Sequence, residues 1–228
     1  ISATQVMETS FQPQISVVGT FVANQGVTIK SEAQGRITKV NFTSGQMVNE
    51  GDELVIIENT MQLGALQYAQ AQYDLSQVTY KRNLNIIDKG AVSVAALDEA
   101  KANLDADKAN VLQAQGDYDK TIIKASFSGR LGLRNVDVGD YLNAGDALVT
   151  LQNTDPMYVD FYVPQKYLPQ LSMNEKVQVY PNTIEGQGIE GNVLSFETVI
   201  NSDTGMIEVR AQVPNQDKTI LPGGFATV

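Results

Sequence analysis

Apolar and polar residues alternate over several short stretches of the chain, which is the pattern of β-strands. The first such stretch covers residues 6–29 and includes Ile15, Val17, Phe21 and Val27. The C-terminal part has the same alternation in four segments separated by turn residues: 155–164, 177–181, 188–195 and 205–213. The turn before the last of these segments is predicted at 201–205. Short strands at this spacing predict a small β-barrel completed by the N-terminal segment. A short helix is predicted over 166–171.

Residues 60–120 carry the pattern of helices instead. The stretch has no Pro and is rich in Ala, Gln, Leu and Asp, which is typical of helix. Apolar residues recur every seven positions in two series, namely Leu66, Tyr73, Tyr80, Ile87 and then Leu97, Leu104, Val111, Tyr118. This spacing predicts two helices that pack along one stripe as an antiparallel coiled coil. Each arm of about 27 residues would extend roughly 40 Å.

The connection between the two helices is predicted at residues 88–93. Gly90 can end the first helix and Ser93 can cap the second. Positions along the seam between the apolar series are small or polar: Ala69, Ser76, Ala100, Asp107 and Ala114. We therefore expect a hairpin that is marginally stable alone and gains from lateral partners, although ordinary packing within the hairpin explains the apolar stripes equally well.

One supersecondary unit occurs twice in the chain. Residues 35–57 and 129–151 align without a gap at a constant offset of 94, the difference between Gly129 and Gly35. Identical pairs include Gly35/Gly129, Gly45/Gly139, Gly51/Gly145 and Asp52/Asp146. The glycines suit turns in which φ is positive, and Gly-Asp precedes an alternating strand. The two copies are expected to close on each other as a β-sandwich, and each resembles half of a biotinyl/lipoyl domain.

Composition excludes several classes of function. The chain has no Cys and no His, which removes thiol chemistry, the commonest general base and nearly all zinc sites. A formal net charge of -10 argues against binding to a nucleic-acid backbone. We expect no cofactor and no metal. Because the sequence starts at Ile1 without a charged-then-apolar leader, we expect either a soluble protein or one whose targeting segment has been removed. The strand-like ending suggests truncation at that end too.

The order strand, half-sandwich, hairpin, half-sandwich, barrel resembles the periplasmic adaptor, or membrane fusion, proteins of RND-type multidrug efflux pumps. The segments that carry this resemblance are 128–139 after the hairpin, 151–164 entering the barrel, and 221–225 near the end. The resemblance implies an elongated α+β molecule of several domains. It further implies a protein of the periplasm, anchored to the inner membrane, that links an RND transporter to an outer-membrane channel and associates into a ring of three or six copies.

The same resemblance implies a contact site at the hairpin tip. Adaptors of this kind carry Arg, an aliphatic residue four positions on and Ser seven further on, and here Arg82, Ile86 and Ser93 have that spacing. Ile86 stands where the family usually has Leu. The alternative interpretation is that Arg82 is a solvated helix residue and Ser93 only a helix cap.

The sequence division that follows is 1–28 for strands of the barrel, 29–59 and 120–152 for the two halves of the lipoyl-like domain, 60–119 for the hairpin, and 153–228 for the barrel. The membrane-proximal domain of the family is expected to be absent or truncated.

Other functions remain open at this stage. A lipoyl or biotinyl carrier would need a Lys on an exposed tight turn, but helices replace that turn, and Lys120 and Lys124 lie beside it. An enzyme could use Asp137, Asp140 or Asp146, yet no base, nucleophile or phosphate loop accompanies them. Metal transfer is disfavoured because Met is the only soft ligand. Adaptors of type I secretion tend to have far longer hairpins, so an adaptor of an ABC-type exporter is the hardest alternative to exclude.

Overall fold

The computed structural model describes residues 15–87, 91–182 and 188–228. The chain divides into two compact units, one formed by Val27–Leu151 and the other by the residues up to Gly26 together with Gln152–Val228. Within the described residues, no helix combines the length and the apolar character that crossing a bilayer requires. The residues at which Gly90 was expected to end a helix lie outside the described part of the chain.

The unit Val27–Leu151 contains a β-sandwich built from short strands. Its strands are β2 (Gly35–Val40), β3 (Met47–Val48), β4 (Glu53–Ile57), β5 (Ile122–Lys124), β6 (Gly129–Leu131), β7 (Tyr141–Leu142) and the start of β8 (Ala147–Pro164). One sheet has the order β5-β4-β2-β7, and on the other side β6 pairs with β3 and with β8. The fully buried side chains between them include Ile37, Leu54, Leu131 and Leu148. Both halves of the repeat therefore supply the same core.

The two halves exchange strands in a symmetric way. In the first half, β2 pairs with β7 of the second half, with Gly35 opposite Leu142. In the second half, β6 pairs with β3 of the first half, with Gly129 opposite Val48. These two pairings are equivalent under the offset of the sequence repeat. Neither half can complete its sheet alone, because its partner strands come from the other half.

A helical hairpin is inserted between the halves. It consists of α1 (Thr60–Ile86) and α2 (Val94–Asp119). The predicted seam faces inward: Ala69 and Ala100 are buried, and the apolar series is half-buried. Ser76 donates a hydrogen bond across the seam to the carboxylate of Asp107. The ends of the hairpin are held together by antiparallel pairing of β4 with β5, which places Val55 opposite Ile123.

In its described residues, the second unit is a β-barrel of six strands. It uses β1 (Val18–Lys30), the later part of β8, β9 (Lys176–Pro181), β10 (Ile189–Phe196), β11 (Met206–Val213) and β12 (Phe225–Thr227). Their order is β1-β12-β9-β10-β11-β8, and pairing of β1 with β8 closes the barrel. Alternate residues of β11 are buried, as the sequence pattern predicts. On the outer face, Arg210 donates two hydrogen bonds of 2.6 Å to the carboxylate of Asp160. The ion pair with Asp160 raises the pKa of Arg210.

The predicted fold class is confirmed in its parts: a split lipoyl-like sandwich, an inserted antiparallel hairpin and a small barrel. Two details differ from the sequence analysis. The last strand of the repeat and the first strand of the barrel are one continuous strand, β8, of 18 residues. The short helix predicted at 166–171 is a 3₁₀ helix, Gln165–Gln170, with Pro169 inside it. The finer division into domains, with the hairpin counted separately, stays a prediction.

Candidate functional site

The candidate site lies at the end of the hairpin that points away from the sandwich. Helix α1 starts just after β4 and α2 ends just before β5, so the end of α1 and the start of α2 are farthest along the hairpin from these strands. Arg82 and Ile86 belong to the last part of α1, and Ser93 immediately precedes α2. The three residues singled out from the sequence therefore share one end of the hairpin. Whether they make a contact with another protein stays a prediction.

Arg82 and Ile86 are neighbours on the surface of α1 because residues four apart in a helix share a face. The side chain of Arg82 is exposed, whereas that of Ile86 is half-buried. Within residues 15–87, 91–182 and 188–228, no hydrogen bond or ion pair engages the Arg82 guanidinium. A guanidinium offers five donors in a rigid planar fork, so this end of α1 presents a cation that can bind carboxylate or carbonyl oxygens.

Ser93 is the N-cap of α2. Its backbone is extended, with φ -78° and ψ 156°, and its Oγ accepts a hydrogen bond of 3.2 Å from the N–H of Ala96. This contact satisfies one of the backbone donors that every helix leaves unpaired at its start. The capping role predicted from sequence is confirmed. Since the hydroxyl only accepts in this contact, its proton can still be donated to a partner.

Exposed apolar side chains accompany these residues, and the sequence analysis missed them. Leu84 is 47% exposed and Val94 is 68% exposed. Neither residue belongs to the seven-residue series that packs in the seam. An apolar residue outside that series is expected to be exposed, and this is how the sequence could have identified both. A second seven-residue series on α1, Met61, Tyr68 and Leu75, is also exposed and leads to Arg82. A contiguous exposed apolar patch marks a contact with another molecule, whereas single exposed apolar residues are ordinary.

The glycines and aspartates shared by the two copies of the repeat form turns of the sandwich. φ is positive at Gly35, Gly45, Gly51, Gly139 and Gly145, but Gly129 is buried in β6 and is not in that group. The carboxylate of Asp52 accepts a hydrogen bond of 2.8 Å from the N–H of Asn49. Asp146 accepts the equivalent bond, also 2.8 Å, from Asn143.

The acidic residues that could have suggested an enzyme are occupied in the same kind of turn. The Asp140 carboxylate accepts a hydrogen bond from the N–H of Asp137, and Asp137 itself pairs with Arg134. Among the described residues, no group of three or more His, Cys, Asp or Glu is arranged to hold a metal ion. These contacts give Asp137, Asp140 and Asp146 a local structural role.

Comparison with known proteins gives matches in the same order as the fold. Residues 25–152 match the family model described as "RND MFP, barrel-sandwich hybrid domain". Residues 156–228 match the one described as "CusB-like, beta-barrel domain". The multidrug resistance protein MdtA of Salmonella heidelberg is 30% identical over 233 residues, a match that covers 92% of this chain and 56% of that protein. The chain thus spans little more than half the length of this relative.

Solved structures share the fold. A chimeric MacA-MexA protein containing the Pseudomonas aeruginosa MexA α-hairpin domain has a TM-score of 0.78 and 20% identity, over 93% of this chain and 78% of that one. The membrane fusion protein Spr0693 from Streptococcus pneumoniae has a TM-score of 0.71 and 16% identity, over 94% of this chain and 97% of that one. Because the barrel-sandwich model matches more than half of its residues, this chain belongs to the family of RND membrane fusion proteins.

Proposed function

We propose that this protein is the periplasmic adaptor of a tripartite efflux pump. It is anchored to the inner membrane and links an RND transporter there to a channel protein of the outer membrane, so that drugs or other small molecules are exported. The observation that carries the proposal is a helical hairpin inserted into the barrel-sandwich domain of this family, with an exposed cation and exposed apolar side chains at its free end. The similarity to a multidrug resistance protein supports drugs as the cargo.

The free end of the hairpin is the proposed contact with the outer-membrane channel. Arg82 supplies charged hydrogen-bond donors, Ser93 supplies a hydroxyl proton, and Ile86 supplies apolar surface that a partner would bury further. Leu84 and Val94 are exposed at the same end of the hairpin, although Leu84 lies on a different side of α1 from Arg82 and Ile86. Arginine is one of the residues enriched among those that contribute most to the binding energy of an interface.

Association of several copies into a ring of three or six is also proposed. The exposed series Met61, Tyr68 and Leu75 forms a stripe along α1 that the hairpin itself does not cover, with exposed fractions of 85%, 69% and 62%. A seven-residue spacing keeps such a stripe on one side of a helix that supercoils with its neighbour. Lateral packing of hairpins would bury this stripe and stabilise a seam that is small and polar.

The contact is tested in bacteria that carry the full-length protein. We expect Arg82→Asp and Ser93→Asp each to lower the minimum inhibitory concentration of an exported drug to that of a strain lacking the protein. Asp is as good an N-cap as Ser, so Ser93→Asp keeps the start of α2 and adds only a charge at the contact. Lys108→Asp is the matched control, because Lys108 is exposed on α2 far from this end, and we expect it to leave susceptibility unchanged.

Protein abundance and membrane association are measured for every variant, so that a folding defect is recognised. Normal drug resistance in both tip variants would remove the contact assignment. Purification of the full-length protein from membranes, with identification of the bound transporter, tests the rest of the proposal. Recovery of an ABC-type exporter or a type I secretion transporter instead of an RND transporter would contradict it.

A further inference from the structure

The side of α1 that faces away from α2 carries a second packing pattern. Tyr68, Leu75 and Arg82 are seven residues apart and exposed on this outward face. Four residues before each of them is a smaller exposed residue, namely Gly64, Ala71 and Val78. Steps of three and four residues that repeat every seven define a seam along which helices pack. In the described part of the chain, α2 covers one seam of α1 and leaves this second seam exposed.

The outward face of α2 has the complementary shape. Most residues at its equivalent positions are small: Ala95, Ala102, Ala106, Ala109 and Gly116. The four alanines are exposed, and Gly116 is half-buried. Helices interdigitate closely where large side chains of one face small residues of the other. The outward face of α2 therefore offers space for the large outward residues of α1.

The heights of these residues along the hairpin also agree. Ser76 and Asp107 lie at the same height, because they hydrogen-bond across the seam. The helices are antiparallel, so one step back along α1 corresponds to one step forward along α2. The outward pairs that lie within one residue, about 1.5 Å, of the same height are Tyr68 with Gly116, Leu75 with Ala109 and Arg82 with Ala102. Within one copy these partners lie on opposite sides of the hairpin, so only two copies can bring them together.

The charges of the helices favour contact between unlike faces. Two cations and one acid give α1 a net charge of +1, whereas two cations and six acids give α2 a net charge of -4. Lys81 lies beside the outward stripe of α1, and Asp98 and Asp105 lie beside that of α2, about one turn above and below the height of Lys81. Among the described residues, no ion pair engages these three. Contact between α1 and α2 places the cation between two carboxylates, whereas contact between two α2 faces places acids together.

We propose that the outward face of α1 in one copy packs against the outward face of α2 in the next copy, with Leu75 against Ala109 and Lys81 between Asp98 and Asp105. The inference rests on the ring of copies proposed above and specifies which faces meet in it. Because the two faces differ, each copy turns one of them toward each neighbour. Such a heterologous contact builds a ring where the rotation closes, whereas a two-fold dimer would use the same face twice.

Cysteine cross-linking tests this pairing in the full-length protein in bacterial membranes. The 228-residue chain has no Cys, so introduced residues are its only thiols, and the parent protein without them gives the background. Copper phenanthroline forms disulfides between cysteines whose Cα atoms lie within about 7 Å. We expect the double variant Leu75→Cys/Ala109→Cys to give a ladder of products with two, three and more copies. Each single variant should stay monomeric.

The matched control is Leu75→Cys/Ala95→Cys. Ala95 belongs to the same exposed stripe but lies about 20 Å from Ala109 along α2, so this variant should stay monomeric. Val78→Cys/Ala106→Cys joins residues at equal height and should give the same ladder as Leu75→Cys/Ala109→Cys. It decides the pairing independently if replacement of Leu75 disturbs folding.

A charge exchange tests the flank of the contact. Asp105→Lys should slow cross-linking of Leu75→Cys/Ala109→Cys about twofold to fivefold, the effect of one exposed charge pair. Adding Lys81→Glu should restore the rate, because the two charges are then exchanged. An unchanged rate in Asp105→Lys would overturn the assignment of Lys81 to these acids.

Three results would overturn the pairing of the faces: dimers from Leu75→Cys or Ala109→Cys alone, equal products from the height control, or no ladder from either matched pair. Drug susceptibility is measured in the same strains. Normal resistance together with one of these results contradicts the pairing and leaves the proposed efflux function standing. Recovery of a transporter of another class together with the expected ladder contradicts that function and leaves the pairing standing.

Discussion

Four glycines of the sandwich are required by the backbone conformation of its turns. Gly45 and Gly51 have φ of 78° and 85°, and their partners in the repeat, Gly139 and Gly145, have φ of 100° and 96°. Any L-residue at positive φ strains its backbone, at a cost of about 1–2 kcal/mol. Apart from the glycine and its two chain neighbours, no residue has a heavy atom within 4 Å of the position that a Cβ would take at Gly51, Gly139 or Gly145. The requirement at these sites is therefore conformational and not steric.

The same substitution should have opposite effects at two glycines. Gly139→Ala should lower the free energy of unfolding by about 1 kcal/mol, because Ala disfavours positive φ. Gly64→Ala should raise it by about 0.5–1 kcal/mol, because Gly64 is an exposed residue inside α1 with open space around it. Urea denaturation followed by circular dichroism measures both. An unchanged or higher free energy of unfolding for Gly139→Ala would show that the turn does not require glycine.

The hairpin is an element whose seam is only partly apolar. Tyrosines and aliphatic residues alternate with Ala69, Ala100 and the hydrogen-bonded pair of Ser76 and Asp107. A polar pair in a coiled-coil seam costs stability but favours one register of the two helices, because any other register would leave the carboxylate without its donor. Because the seam residues are small, we expect a helix pair of this length to gain stability from packing against neighbours.

The start of α1 depends on a side chain outside the helix. Asn59 occupies the N-cap but makes no capping hydrogen bond with its side chain. Instead, the Glu58 carboxylate accepts hydrogen bonds from the hydroxyl and the backbone N–H of Thr60. The hydrogen bond from the Thr60 hydroxyl is the main cause that lowers the pKa of Glu58 below its ordinary value of 4.5.

The start of α1 should consequently loosen in acid. A carboxyl whose pKa is lower in the folded state stabilises that state above its unfolded pKa, and the contribution disappears as pH falls through the folded pKa. Amide hydrogen exchange of Met61–Leu63, corrected for the intrinsic rate, should rise as pH falls below about 4. Glu58→Gln should remove this pH dependence. Equal corrected rates at acid and neutral pH in the unaltered protein would contradict the assignment.

At the scale of the whole chain, the hairpin interrupts a bipartite domain without separating its halves. The pairing of β4 with β5 continues to the base of the helices, where the N–H of Ile57 donates a hydrogen bond of 2.9 Å to the carbonyl of Thr121. The exchange of strands between the halves is independent of the helices. The sandwich should for this reason tolerate loss of the insertion.

Replacement of residues 60–119 by Asn-Gly tests this organisation. Two antiparallel strands can be joined by a short turn, and Asn-Gly is favoured in such turns. We expect a folded protein that has lost the helical signal in circular dichroism and retains the protected backbone amides of β2 and β4. Replacing residues 122–124 as well should unfold the sandwich, because β5 then no longer pairs with β4. Unfolding caused by loss of the hairpin alone would contradict the proposed independence.

The sequence by itself determined the elements and their order. Positive φ at four glycines, strand alternation and the seven-residue spacing of Leu66, Tyr73 and Tyr80 are properties of short segments, and they follow from local stereochemistry and periodicity. The repeat at a constant offset also identified the two half-sandwiches, because equivalent backbones need equivalent residues. The candidate contact residues Arg82, Ile86 and Ser93 came from spacing and resemblance, and their contact stays a prediction.

Only the tertiary structure decided how these segments are joined. Exchange of strands between the halves and the order of strands in the barrel depend on hydrogen bonds between residues distant in sequence, which local patterns do not specify. The structure also shows that two tyrosines of the same helix differ in burial. Tyr73 is half-buried in the seam, whereas Tyr68 is exposed on the outer face. Burial of an apolar residue depends in the same way on which distant segments cover it.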